Sequence, residues 1–188
     1  APTEIYPLSL HDALPIYGSY IAFVVMPYGP GRKANLFTCK TDGSDLRFWG
    51  GDQPMHYSWF DNNTIFGSDS EVEDGSPDNN YIKRWSIDKK CIETLGGLGC
   101  HVAVSADHQW CAGETWYKND PIKLFLYKRG NTEPVAVIFE HAFTDIVWKD
   151  GGHVNPGFSR DGKRLYYTRA VSNELKQAYY CDISEIVK

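Results

Sequence analysis

The stretch His153-Val154-Asn155-Pro156-Gly157-Phe158-Ser159-Arg160-Asp161-Gly162-Lys163-Arg164-Leu165-Tyr166-Tyr167 decides how the chain is read. It predicts two short strands joined by a turn. Phe158 ends the first strand, and Ser159-Arg160-Asp161-Gly162 supplies the turn, with glycine free to take a positive φ. Leu165-Tyr166-Tyr167 begins the partner strand. Looser copies lie upstream, at His56-Tyr57-Ser58-Trp59-Phe60-Asp61-Asn62-Asn63-Thr64-Ile65-Phe66 and at His101-Val102-Ala103-Val104-Ser105-Ala106-Asp107-His108-Gln109-Trp110-Cys111. Each has a His, an apolar residue, an Asp-led turn and a second apolar strand. His56 and His101 are 45 residues apart, and His101 and His153 are 52 apart.

That interval matches four-stranded propeller blades, about 40 to 50 residues each. Strands are expected at Tyr20 to Val25, Asn35 to Lys40 and Leu46 to Trp49. A second blade opens at Met55 and runs through Ile65-Phe66-Gly67, Tyr81 to Asp88 and Cys91 to Leu95. The third holds Gln109 to Ala112, Leu124 to Lys128 and Pro134 to Phe139, and the last ends with Gln177 to Ile183. Gly96-Gly97-Leu98-Gly99 reads as a linker, and His141 to Gly152 as a longer crossover. There is no long stripe of period 3.6. The expected class is all-β, a β-propeller fragment of about four four-stranded blades.

Ala1 to Ile16 closely resembles the conceptual translation of a sequencing adapter and is set aside as a non-native tail. Tyr17 to Lys188 is then one partial propeller domain, too short for six or seven closed blades. Its unpaired sheet edges are expected to make it poorly soluble as expressed. The net charge of −5 falls to about −3 without Glu4 and Asp12, so no basic face for nucleic acid is implied. No apolar run reaches the length of a membrane span. Cys39, Cys91, Cys100, Cys111 and Cys181 show no C-x-x-C spacing, which argues against a zinc ribbon or redox pair. Their place in apolar strand patterns favours a reducing, cytoplasmic setting, with the periplasm as the alternative. The acidic run from Asp69 to Asn80 has its Gly75 one place too late for a calcium loop and reads as solvated.

In a propeller the innermost strands line a central channel, so equivalent positions on successive blades converge. His56 and His101 each stand three residues before an apolar strand residue, Trp59 and Val104. Asn155 holds that slot before Phe158, with His153 two residues earlier. Strand alternation would place His153 and Asn155 on one face. Imidazole nitrogen with amide or carboxylate oxygen suits Mn²⁺ or Zn²⁺, and Asp150 is the nearest carboxylate that would complete the shell. The alternative is a strand-leading His satisfied by hydrogen bonds within its own blade. His108 is expected in an exposed turn and His141 in a loop. Ser105 and Ser159 are expected to stabilise turns. Arg84, Lys149, Arg160 and Arg169 read first as solvated charges, with Lys149 and Arg160 the candidate substrate clamps. Trp59, Trp85 and Trp110 are expected between sheets.

The paired-strand motif, sharpest at Asn155 to Lys163, resembles the repeats of TolB-like proteins and of the oligogalacturonate lyase family. His56 to Asp61, Gly99-Cys100-His101 and Trp110 to Thr115 are closer to the latter. The resemblance covers Tyr17 to Ser184. It implies a seven-bladed parent and a divalent metal, usually taken as Mn²⁺, held by His side chains and a Gln. Carried over residue by residue, His56 would be the base and His101 and His153 ligands. Asn155 stands where a further His is expected, and Asp150 where the Gln is expected. The implied chemistry is β-elimination on a short galacturonate-type oligomer, the metal binding the carboxylate next to the C5 proton. The rival reading is a non-catalytic propeller binding a protein or glycan partner on its face.

Overall fold

The computed structural model describes residues 18–25, 35–50, 54–69, 81–88, 90–115, 121–141, 153–171 and 175–188. Among them, every regular element is a strand, and the strands form four antiparallel sheets. The first sheet is β1 (Tyr20–Val25), β2 (Asn35–Lys40) and β3 (Arg47–Phe48). The second is β4 (Pro54–Asp61), β5 (Thr64–Asp69), β6 (Tyr81–Ser86) and β7 (Cys91–Leu98). β8 (Val102–Val104), β9 (Trp110–Glu114), β10 (Ile122–Lys128) and β11 (Ala136–His141) make the third. The last is β12 (Gly157–Phe158), β13 (Arg164–Ala170) and β14 (Lys176–Asp182). Each sheet is a meander in sequence order, the layout of propeller blades.

The repeated hairpins share one turn chemistry. Ser105 donates its hydroxyl to Asp107 at 2.6 Å and accepts the Trp110 N–H at 3.0 Å. One blade later, Ser159 donates to Asp161 at 2.6 Å and accepts the Arg164 N–H at 2.9 Å. The third residue after each Ser takes a left-handed conformation, His108 at φ 60° and Gly162 at φ 71°. Both serines do what the sequence led us to expect. His108 is in its turn, but half-buried against Phe60 with ring centroids 4.0 Å apart, because the positive φ lays its ring over the neighbouring blade.

Strand alternation delivers three apolar layers, one between each pair of adjacent sheets. Ala22, Leu36 and Trp49 meet Ile65 and Trp85. Phe60, Phe66, Ile82 and Leu95 meet Cys111 and Tyr127. Trp110, Ala112, Ile122, Leu124 and Leu126 meet Val154, Leu165 and Ile183. Leu124, Leu126, Leu165 and Ile183 are fully buried, and each such side chain stabilises the fold by about 1.5–3 kcal/mol.

Three expectations are corrected. Gly96, Gly97 and Leu98 are not a linker but the end of β7. The glycines are needed because β7 lies flat on the Tyr127 ring, whose hydroxyl donates to the Leu98 carbonyl at 3.0 Å, and a Cβ on Gly96 would sit 2.6 Å from Cys111 Sγ. His141 is the last residue of β11 rather than a loop residue, its backbone paired with Ile122. Arg84 is not simply solvated. Its guanidinium bonds Asp61 at 2.6 Å and lies 4.2 Å over the Phe60 ring, so the hydrogen bond and the aromatic face hold it.

Candidate metal centre

β4, β8 and β12, the first strands of the second, third and fourth sheets, lie beside one another, β8 contacting both of the others. Their leading residues therefore share one region. His56 sits in β4 where its register with β5 shifts between Met55 and Ser58, and its φ is 48°. A non-glycine residue in this region marks a bulge that re-aims its side chain. His101 immediately precedes β8. The Cys100 N–H donates to the Glu114 carbonyl at 2.7 Å and the Glu114 N–H to the His101 carbonyl at 3.2 Å, so the loop is pinned to the end of β9. This approach requires Gly99 and Gly113 to face each other: a Cβ on Gly113 would stand 2.7 Å from Gly99 Cα. His153 precedes β12, and its carbonyl accepts the Thr168 hydroxyl at 2.8 Å.

The three imidazoles meet. Ring centroids of His56 and His101 are 4.1 Å apart, and those of His101 and His153 are 4.3 Å apart. Beneath them lies Glu114, whose side chain is 2% exposed. Its Oε1 is hydrogen-bonded to His101 Nδ1 and lies 3.4 Å from His153 Nδ1. Its Oε2 accepts the Val154 N–H and, at 3.2 Å, the Asn155 N–H. Burial pushes the Glu114 carboxyl up, but the bonds from His101, His153 and Val154 outweigh it and hold the group below the usual range. His56 is pushed down to about 4, first by the packing around its ring and then by its two imidazole neighbours. Because His56 is exposed overall, solvent tempers that depression. Desolvation and the neighbouring imidazoles both disfavour the charged ring, so the neutral form of His56 is the favoured one at pH 7.

Of the residues singled out from sequence, His56, His101 and His153 come together. Asp150 and Lys149 lie outside the described residues. Asn155 is exposed, with φ 47°, and its amide nitrogen turns back to the His153 carbonyl at 3.4 Å. The expected strand alternation through His153 and Asn155 does not form, because β12 begins at Gly157 and the left-handed residue breaks the extended path. Arg160 is exposed in the turn after β12, at the other end of that strand from His153. Sequence reasoning missed Glu114 and Cys100. The signal for Glu114 was a carboxylate closing an otherwise apolar strand, Trp110-Cys111-Ala112-Gly113-Glu114.

Two donor sets result: His101, Glu114 and His153, and His56, Cys100 and His101, with ligand atoms inside each set within 4.8 Å of one another. The Cys100 thiol is pushed up to about 12 by burial and by Glu114, which leaves it protonated at neutral pH. The first set fits a divalent cation better. Two imidazoles supply borderline nitrogen donors, and the carboxylate hydrogen-bonded behind them supplies negative charge rather than a ligand atom. Moreover, the ion-pair partners that the described residues give the buried Glu114 anion are these two imidazoles, which balance its charge only when protonated.

No family model and no curated protein matches the chain. Solved structures do. An oligogalacturonate lyase in complex with manganese shares 21% identity over 90% of this chain and 46% of its own, with a TM-score of 0.62. The oligogalacturonate lyase of Vibrio parahaemolyticus gives 16%, 94%, 49% and 0.63 for the same measures. TolB from Acinetobacter baumannii gives 13%, 93%, 41% and 0.60. The fold is a β-propeller. The chain spans less than half the length of each of these propellers, and identities this low speak to the fold alone.

Proposed function

We propose that this propeller segment belongs to a metal-assisted lyase that cleaves short galacturonate-type oligosaccharides by β-elimination. The observation that supports it is the meeting of His56, His101 and His153 above a buried carboxylate. His101 and His153 would hold a divalent cation, Mn²⁺ by the resemblance, with Glu114 supplying negative charge beside it. When bound, such a cation polarises the substrate carboxylate and so acidifies the C5 proton. His56, neutral and at the solvent side of the cluster, accepts that proton on its imidazole. The electron pair forms the C4–C5 double bond, the C4–O glycosidic bond breaks, and the departing oxygen takes a proton from water.

The test is incubation of the chain, loaded with Mn²⁺, with galacturonate oligomers while following the ultraviolet absorbance of the new double bond. Turnover that is lost in His56→Ala, with Mn²⁺ still bound, is the expected result. Mn²⁺ binding and glycan binding without any absorbance change would instead support the scaffold reading.

A further inference from the structure

We infer that Glu114 is a positioning residue that holds His101 as the tautomer protonated on Nδ1, leaving Nε2 its lone pair, while tying the segment that carries His153 to the same point. The inference deepens the proposed function and rests on it only for what Nε2 would meet.

Both oxygens of Glu114 act as acceptors. Its Oε2 takes the backbone N–H groups of Val154 and Asn155. A backbone N–H is a donor in every protonation state, so this end of the carboxylate is pinned. From the other side, Thr168 fastens the same segment to β13, its N–H donating to the Val154 carbonyl at 2.7 Å and its hydroxyl to the His153 carbonyl. Oε1 is thereby aimed at the imidazoles. Oε2 already accepts two backbone N–H groups and Oε1 faces both imidazoles, so the carboxylate is placed as an acceptor and the nitrogen bonded to it, His101 Nδ1, is the donor. A neutral ring protonated on Nδ1 has an unprotonated Nε2. His153 Nδ1 lies 3.4 Å from the same oxygen, close enough to share its field. Carboxylates that orient metal-binding imidazoles in this way commonly change affinity about 10–100-fold when removed.

The Glu114→Gln variant separates this role from packing. Its carboxamide oxygen must stay on the Val154 and Asn155 N–H groups, because an NH₂ there would face two donors. The NH₂ then faces His101 Nδ1, which must accept, and the ring proton moves to Nε2. Long-range ¹H–¹⁵N correlation spectra of the metal-free, ¹⁵N-histidine-labelled chain at neutral pH read this directly, with His101 assigned by its loss in His101→Asn. The expected result is Nδ1–H in the wild type and Nε2–H in Glu114→Gln, with Mn²⁺ affinity weakened about 10–100-fold in the variant. A wild-type His101 protonated on Nε2, or a tautomer unmoved by the substitution, overturns the inference. The wild-type spectrum alone suffices for this if Glu114→Gln does not fold. A switch of tautomer in a chain whose wild type binds neither Mn²⁺ nor Zn²⁺ would uphold the role of Glu114 while removing the metal reading.

Discussion

At the scale of single residues, two backbone distortions flank the imidazole cluster, at His56 and Asn155, both left-handed and neither a glycine. Such conformations cost roughly 1–2 kcal/mol for a residue with a Cβ and persist where surrounding contacts over-determine them. Asn tolerates the region, so Asn155→Gly is expected to change stability by less than about 0.5 kcal/mol. Asn155→Val is expected to lose about 1–2 kcal/mol by urea denaturation, since a β-branched side chain is strained there. Equal midpoints for the two variants would show that the distortion is not held. For the cluster itself, His101→Ala or His153→Ala is expected to abolish Mn²⁺ binding by elemental analysis after dialysis, with the fold retained by circular dichroism. The three histidines were legible in the sequence because they recur at blade intervals. Glu114 was not, because its partners lie 13 and about 40 residues away in sequence and meet it only through the pairing of the His101 segment with β9 and the approach of the segment before β12.

At the scale of elements, the Ser-x-Asp turns of the third and fourth sheets are structural copies, yet they differ in burial. Ser105 is 1% exposed and is bonded to both Asp107 and the Trp110 backbone. Ser105→Ala leaves a buried N–H without that acceptor, at a cost of about 1–3 kcal/mol. Ser159→Ala, in a solvent-facing turn, is expected to fall well below that, and thermal melts of the two variants compare them directly. These hairpins could be read from sequence because turn chemistry is local. The end of β7 could not, because Gly96 and Gly97 look like a linker until the ring of Tyr127 is seen lying against them. The aim of His153 was likewise hidden, since nothing local distinguishes an extended approach to β12 from the left-handed step at Asn155.

At the scale of the molecule, adjacent sheets are joined by polar as well as apolar contacts. Arg129, in the turn after β10, grips Glu93 of β7 with two bonds of 2.5 and 2.6 Å, and the Gly130 N–H donates to the Leu95 carbonyl at 2.8 Å. The Arg129 bond, aided by Arg84 and opposed by partial burial, holds the Glu93 carboxyl below its ordinary 4.5. A carboxylate with a lowered folded-state pKa contributes stability above its ordinary value, and loses it as pH falls through the lowered one. Arg129→Ala should therefore lower the urea midpoint at pH 7, and the gap from the wild type should close on acidification below about 4.5. A gap independent of pH would mean that the pair contributes packing alone. The blade count followed from the recurrence of the hairpins, since each repeat carries its own strands and turns. The pairing of sheets through Arg129 and Glu93 did not, because both read as ordinary surface charges.

The central claim is that successive blades aim His56, His101 and His153 at one cation-binding point. A crystal of the chain grown with MnCl₂, with data collected at the manganese absorption edge, tests it most directly. The account predicts an anomalous peak in contact with His101 and His153, with the His56 ring beside it and Glu114 behind. Rings that face apart, or a well-ordered cluster with no anomalous peak at saturating Mn²⁺, would contradict it.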